Sequence, residues 1–135
     1  MTRFSANLGF LWTDRSLSDA VGAAKVAGFD AVECHWPYGN DPEDVRAALQ
    51  ETGLCMLGLN TVRGDVAAGE NGLAALVGRE TEARAAIDQA ISYAAVIDTP
   101  KIHVMAGFAA GDQAEASFCL LYTSVAADDR YRGGV

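Results

Sequence analysis

The sequence predicts a parallel α/β fold and, within that class, half of a (β/α)8 barrel: four parallel strands with alternating helices. Three observations carry this expectation. Short apolar segments alternate with amphipathic helical segments, the pattern of a parallel sheet with right-handed crossovers. Along the strands one parity is apolar (Phe4, Ala6, Leu8; Val32, Cys34, Trp36; Leu57, Leu59; Ile102, Val104, Ala106). The other parity holds Ser5, Asn7, Glu33, His35, Asn60 and His103. An open sheet covered by helices on both faces should be apolar at both parities, whereas the inner parity of a barrel has room for polar groups near the mouth. A whole barrel takes roughly 250 residues. This chain has 135 and shows four repeats.

Strand one is expected at Arg3–Leu8. Helix one follows over about Leu17–Ala27, with Leu17, Ala20, Val21, Ala24 and Ala27 at helical spacing. Ser16 is its N-cap candidate and Gly28 closes it. Phe29–Trp36 is strand two. Asp41-Pro42-Glu43-Asp44 opens helix two with a cap, a proline at the first helical position and acids at the positive helix end. Val45, Ala48, Leu49 and Thr52 form its buried face, and Gly53 ends it. Leu54–Asn60 is strand three. Thr61–Glu80, rich in glycine and acids, is too long for an ordinary turn. Helix three spans about Thr81–Ile97 with the stripe Ala83, Ile87, Ala90, Ile91, Ala94. Pro100 stops it, and Lys101–Ala106 is strand four.

Composition narrows the function classes. Half of the residues are hydrophobic, which excludes a solvated coil. No apolar run reaches the about 18 residues of a membrane helix, and no apolar stretch follows Thr2-Arg3, so the expected compartment is the cytoplasm. Cys34, Cys55 and Cys119 form no CxxC pair, which gives neither a disulfide framework nor a zinc knuckle. Eighteen acids against ten bases, a net charge of −8, repel phosphate backbones, so no nucleic-acid partner is expected. The glycines at 9, 64, 69 and 72 form neither a GxGxxG nor a Walker loop, so no nucleotide site is implied.

The end of the chain reads differently. Cys119-Leu120-Leu121-Tyr122-Thr123-Ser124 resembles the direct translation of a transposon mosaic-end sequencing adapter, and Val125-Ala126-Ala127-Asp128 differs at one position from the continuation Asp-Ala-Ala-Asp. Residues 1–118 are therefore expected to be the partial barrel and 119–135 a non-native tail. The alternative is a native strand over Phe118–Thr123.

Several segments carry a family resemblance. They are Arg3-Phe4-Ser5-Ala6-Asn7-Leu8, Ala27-Gly28-Phe29-Asp30-Ala31-Val32-Glu33 with Pro37-Tyr38, and Asn60 with Gly64-Asp65. Ala67-Ala68-Gly69-Glu70, Gly72, Gly78-Arg79-Glu80 and His103-Val104-Met105-Ala106-Gly107 continue it. Together they resemble the N-terminal half of the hydroxypyruvate isomerases, including the 2-oxo-tetronate isomerases, within the xylose isomerase-like TIM barrels. The strand-two motif recurs across that superfamily, and the long connection is more specific. The chain departs from the family pattern at Thr61-Val62-Arg63, where Leu-Pro-Ala is usual, and at Val66, where Trp is usual. Asn71 stands where Arg is usual, and Cys34-His35-Trp36 with Tyr38-Gly39-Asn40 at the exit of strand two. These departures sit where substrate should bind.

The resemblance implies an aldose–ketose type isomerase that interconverts hydroxypyruvate and tartronate semialdehyde, or a related 2-oxo sugar acid. A base removes the proton next to the carbonyl, an enediol forms, and an acid returns the proton to the neighbouring carbon. It also implies a divalent metal, Mg²⁺ or Mn²⁺, held by oxygen ligands. The paired glutamates and metal ligands belong to later strands, so no residue of this chain carries over as catalytic or metal-binding, and the fragment is expected to be inactive. The substrate side of the mouth remains: Asn7, Glu33, His35, Asn60 and His103 near strand ends, and Arg79 as a bidentate partner for a substrate carboxylate. Asp65 and Glu70 are candidates on a loop that could act as a lid.

Each candidate also has a structural reading. His35 and His103 could be hydrogen-bonded lumen histidines, and Glu33 could bond a neighbouring strand. Asn60 could satisfy loop amides, and Arg79 could pair with Glu80 or Glu82. Asp65 and Glu70 could simply fold their loop. Trp12, Trp36 and Tyr38 are read as walls of the mouth. The competing functions are a ketose epimerase on the same barrel, a phosphodiesterase on that barrel (which the charge opposes), and a complete flavodoxin-like binding module. A half barrel would leave strands one and four with unpaired edges, open to self-association.

Overall fold

A computed structural model describes residues 1–126, with side chains through residue 121. The elements are β1 (Ser5–Asn7), α1 (Leu17–Val26), β2 (Ala31–Glu33), a 3-10 turn (Pro37–Gly39), α2 (Pro42–Thr52), β3 (Cys55–Met56), β4 (Leu59–Asn60), α3 (Glu80–Ile97), β5 (Ile102–His103) and α4 (Asp112–Ala126). They fall into two compact units. One comprises Met1–Asn60 with Ser92–His103, the other Thr61–Ile91 with the chain from Val104 onward.

In the first unit the helices begin and end where their residues dictate. The Ser16 hydroxyl accepts the Asp19 N–H at 3.1 Å, and the Asp41 carboxylate accepts the Glu43 N–H at 2.8 Å, satisfying donors that the first helical turn leaves open. Pro42 follows in the first turn of α2. Gly53, at φ +71°, ends α2 in the left-handed conformation that glycine adopts without strain. Ala20, Val21 and Ala24 of α1 and Val45 and Leu49 of α2 are buried, and the two helices pack against each other.

The strands pair in parallel and in chain order: β1 with β2, β2 with β3, β4 with β5. β3 and β4 are two pieces of one extended segment, and Leu57 and Asn60 donate backbone hydrogen bonds to Val32 in β2 and to His35 just beyond it. A doubly wound sheet reverses its strand order and places the first strand inside. Here β1 pairs with β2 alone among the described residues. This sequential order is that of a barrel wall, and the flavodoxin-like alternative is set aside.

The strand faces need correction in three places. Phe4, expected against helices, is 65% exposed, because β1 begins only at Ser5. Trp36, also assigned to the apolar parity, lies beyond β2 and is exposed. In strand three Leu54 and Met56 are buried and Leu57 is 40% exposed, the reverse of the expected parity for Leu57. The cause is a one-residue slip. Val32 pairs with Met56, yet Cys34 N–H bonds the Gly58 carbonyl, where an unbroken ladder would use Leu57. The extra residue returns Leu59 to the buried side at 1% exposure and turns Asn60 toward the side of His35. Strand four is shorter than Lys101–Ala106: Ala106 forms an antiparallel bridge to Gly72 instead of continuing β5.

The second unit is built on the long connection. Leu73, Ala74, Ala83, Ile87 and Leu121 form its buried cluster, with Leu76, Ile91, Val104 and Phe118 packed against them. α4 continues through residue 118 without a break. The alternative strand over Phe118–Thr123 is therefore corrected to helix, since Ala114, Phe118 and Leu121 recur at helical spacing and Ala114 and Leu121 are buried. Residues 127–135 of the adapter-like stretch lie outside the described residues. Among the described residues no helix is long and apolar enough to cross a membrane.

Candidate functional site

Asn7, Glu33, Asn60 and His103 are the last residues of β1, β2, β4 and β5. Parallel strands in register bring their ends to one level: Asn7 lies opposite Glu33 and Asn60 opposite His103. All four, with His35, line one cleft of about 620 Å³, bordered on its apolar side by Leu57 and Ile102. Five of the six expected substrate contacts thus come together. The register slip at Leu57–Gly58 admits Asn60 to this group.

His35 is the most closely held of them. Its Nε2 lies 3.2 Å from the Asn7 side-chain nitrogen, while the Asn7 oxygen accepts the Gly9 N–H at 2.9 Å. Phe10 and Trp36 meet the imidazole edge-on, with ring centroids 4.9 and 5.1 Å away. Gly9 packs directly against the ring, and any side chain there would collide with it. From β1 the Ser5 hydroxyl donates a long 3.4 Å hydrogen bond to Glu33 on β2.

Behind the cleft, Tyr38 donates its hydroxyl to the Asn60 carbonyl at 2.5 Å, and Tyr93 donates to the Asn40 carbonyl at 3.0 Å. The two rings meet edge-on at 5.6 Å. Tyr38 is therefore a brace for the Asn60 backbone rather than the wall expected of it. Trp12 and Trp36 do form walls, of an adjoining cavity of about 370 Å³ that shares His35 and Gly9. Burial pushes the Cys34 thiol up to about 12, with the nearby Glu33 charge adding to it. Burial raises Tyr38, helped by Cys34 and Tyr93, and takes Tyr93 to about 12, helped by Cys34 and Asp41. All three stay protonated at neutral pH, so Cys34 is no nucleophile and both phenols serve as donors.

Sequence reading missed Gly9 and Tyr93. Tyr93 had a signal, since it stands four residues before buried Ile97 on α3. Gly9 had none, because its backbone is not left-handed and only the position of His35 explains it.

Arg79, Glu70 and Asp65 belong to the second unit, and Arg79 must be reassigned. Its Nη1 and Nη2 donate to Glu70 at 2.5 and 3.3 Å, and its Nε and Nη2 donate to Glu82 at 2.6 and 2.8 Å. No parallel pair of N–H groups is left for a bidentate ligand carboxylate. Glu70 also accepts the Asp65 N–H at 2.6 Å, and Asp65 accepts the Ala68 N–H at 3.2 Å. These acids fold the loop. Arg63, another departure from the family pattern, donates to Asn71 at 2.8 Å in the same loop.

The hydrogen bond from Arg79, then that from the Asp65 amide, holds the Glu70 carboxyl below the usual carboxylate range. A depressed folded-state pKa contributes stability that is fully present above the unfolded value and is lost as pH falls through the folded one. The Asp65 amide is accordingly expected to be protected from hydrogen exchange near neutrality and to lose that protection on acidification below the ordinary carboxylate range. Glu70→Ala should abolish the protection at every pH. Protection that persists unchanged in Glu70→Ala would show that another group holds the loop.

Among the described residues no three His, Cys, Asp or Glu stand close enough to hold a metal ion. Glu33, His35 and His103 border the same cleft without forming such a set. The residues described do not fit the divalent metal that the family resemblance implies.

Comparison with known proteins bears on the fold and the family. The family described as "Xylose isomerase-like TIM barrel" matches residues 21–129. A 2-oxo-tetronate isomerase of Cupriavidus necator is 45% identical over 112 residues, which are 83% of this chain and 43% of that protein. A human protein named "Putative hydroxypyruvate isomerase" is 45% identical over 106 residues, 78% of this chain and 38% of that protein. The chain thus spans about two fifths of the length of these relatives. Among solved structures, an AP endonuclease, family 2, from Brucella melitensis superposes with a TM-score of 0.83 at 35% identity, over 90% of this chain and 48% of that one.

Proposed function

This chain belongs to the xylose isomerase-like TIM barrel family, and on that premise we propose that it forms the substrate-binding side of a sugar-acid isomerase that interconverts hydroxypyruvate and tartronate semialdehyde, or a related 2-oxo acid. The observation that carries this reading is the convergence of Asn7, Glu33, His35, Asn60 and His103 in one cleft at the strand ends. A 2-oxo acid offers carbonyl, hydroxyl and carboxylate oxygens within a few bonds. A cleft of amides, imidazoles and one carboxylate matches them with both donors and acceptors.

Isomerisation of such a substrate shifts a proton between adjacent carbons through an enediol. The residues described bind and orient the substrate. Glu33 is the one carboxylate lining the cleft among them. The likeness to an AP endonuclease supports the fold, while a net charge of −8 disfavours a phosphodiester backbone as the substrate.

Titration of the 135-residue chain with hydroxypyruvate is expected to shift the NMR resonances of Asn7, Asn60 and His103 together. A response to a ketose and none to the 2-oxo acid would favour an epimerase. No change with either ligand would reject the cleft as a substrate site. Turnover is expected to be undetectable with Mg²⁺ or Mn²⁺ added, because the chain spans only about two fifths of the length of its relatives. Measurable isomerisation by the purified chain would overturn that expectation.

A further inference from the structure

We infer that Asn7 fixes His35 as a neutral imidazole carrying its proton on Nδ1, and so leaves His35 a hydrogen bond donor, not an acceptor, for any ligand group that meets the ring beyond Asn7. The orientation of one amide decides this. Gly9 N–H is a donor, and it lies 2.9 Å from one end of the Asn7 side chain. That end must be the oxygen, since the amide nitrogen would set two donors against each other. The other end, the NH2 group, then faces His35 Nε2 at 3.2 Å. An NH2 group only donates, so Nε2 must accept and carry no proton. A neutral imidazole places its single proton on the remaining nitrogen.

Three further contacts keep this arrangement from relaxing. Gly9 lies against the ring, and Phe10 and Trp36 close on it edge-first. Flipping Asn7 to suit the other tautomer would break the Gly9 hydrogen bond, and turning the ring would drive it into the Gly9 backbone. With Nε2 engaged, Nδ1–H is the polar group that His35 has left to offer. The ligand group that meets it must be an acceptor: a carbonyl or carboxylate oxygen, as a 2-oxo acid supplies. The tautomer stands on the geometry alone. Only the identity of the acceptor rests on the function proposed above.

The chain has two histidines, so long-range ¹⁵N–¹H spectra of the imidazoles, with His103→Gln for assignment, read His35 without ambiguity. Above the pH at which histidine titrates, the wild-type chain is expected to show the proton on Nδ1. Asn7→Asp keeps an oxygen for Gly9 N–H but offers only acceptors to the ring, and is expected to move the proton to Nε2. A merely structural Asn7 would not reverse the tautomer. Wild-type His35 with its proton on Nε2, or an Asn7→Asp spectrum that keeps it on Nδ1, overturns the inference. Hydroxypyruvate is then expected to shift His35 Nδ1 in the wild type and to do so much less in Asn7→Asp. If the tautomers are as stated and hydroxypyruvate leaves Nδ1 unmoved, the substrate reading fails while the lock on His35 stands.

Discussion

Gly72→Ala is expected to destabilise the long connection by about 3 kcal/mol or more, the upper part of the range for single substitutions. Gly72 has φ +125°, a conformation that side-chain-bearing residues rarely adopt. A Cβ there would also stand 2.5 Å from the Met105 carbonyl oxygen and 2.6 Å from the Gly107 nitrogen, both backbone atoms. Neither can retreat. The Met105 carbonyl accepts from Leu73 and Ala74 at 3.1 and 3.2 Å, and the Ala106 carbonyl accepts from Ala75 at 2.8 Å. Two backbones cross here at glycine, and the buried residues Leu73 and Ala74 depend on the crossing. Gly69→Ala supplies the control. Gly69 has φ +87° with nothing within 4 Å of its would-be Cβ, so only the conformational penalty of about 1–2 kcal/mol applies. Urea or thermal unfolding of both variants measures the difference. Equal costs would mean that the crossing is looser than described.

The strand-end residues were legible because their signal is periodic. A polar residue at the inner parity of each strand reads directly as a shared face, and parallel pairing turns a shared face into a shared cleft. The helices were legible for a similar reason: Ser16, Asp41, Pro42, Gly28 and Gly53 act on their own neighbours in sequence. What escaped depends on partners distant in the chain or on slips in register. Leu57 and Leu59 look like one parity, and only the extra residue at Gly58 separates them. Arg79 looks available, and Glu82, three residues on, was a foreseeable partner. Glu70, nine residues earlier, becomes the second partner only when the loop folds back. The family resemblance, which rests on motifs more than on contacts, placed the fold correctly and left these local uses undetermined.

Gly9→Ala is expected to remove ligand recognition at His35 while leaving the fold in place. Gly9 is not at positive φ, so alanine meets no backbone strain there. The obstacle is the imidazole itself: the new Cβ would lie 2.5 Å from Cε1 and 2.6 Å from Cγ, and nearer still to Nδ1. Both flanking carbons are hardly farther from the methyl than Nδ1 is, which places it over the face of the ring and not in its plane, so a small tilt cannot clear it. The ring must leave its position between Phe10 and Trp36 and release the Asn7 amide. The stability lost is the edge-on aromatic packing, about 0.5–1.5 kcal/mol per pair, together with one partly buried hydrogen bond of about 1 kcal/mol, which a domain of this size tolerates. The recognition lost is larger in proportion. A displaced ring loses the fixed orientation of its Nδ1–H, and if the 2-oxo acid is held by that donor, hydroxypyruvate affinity should fall about tenfold, or about 1.4 kcal/mol. Circular dichroism should stay near wild type, while the His35 imidazole resonances should show mixed tautomers and no response to ligand. A Gly9→Ala chain that binds hydroxypyruvate as the wild type does, with its His35 proton still on Nδ1, would show that neither the close approach at Gly9 nor the orientation of the ring governs the cleft.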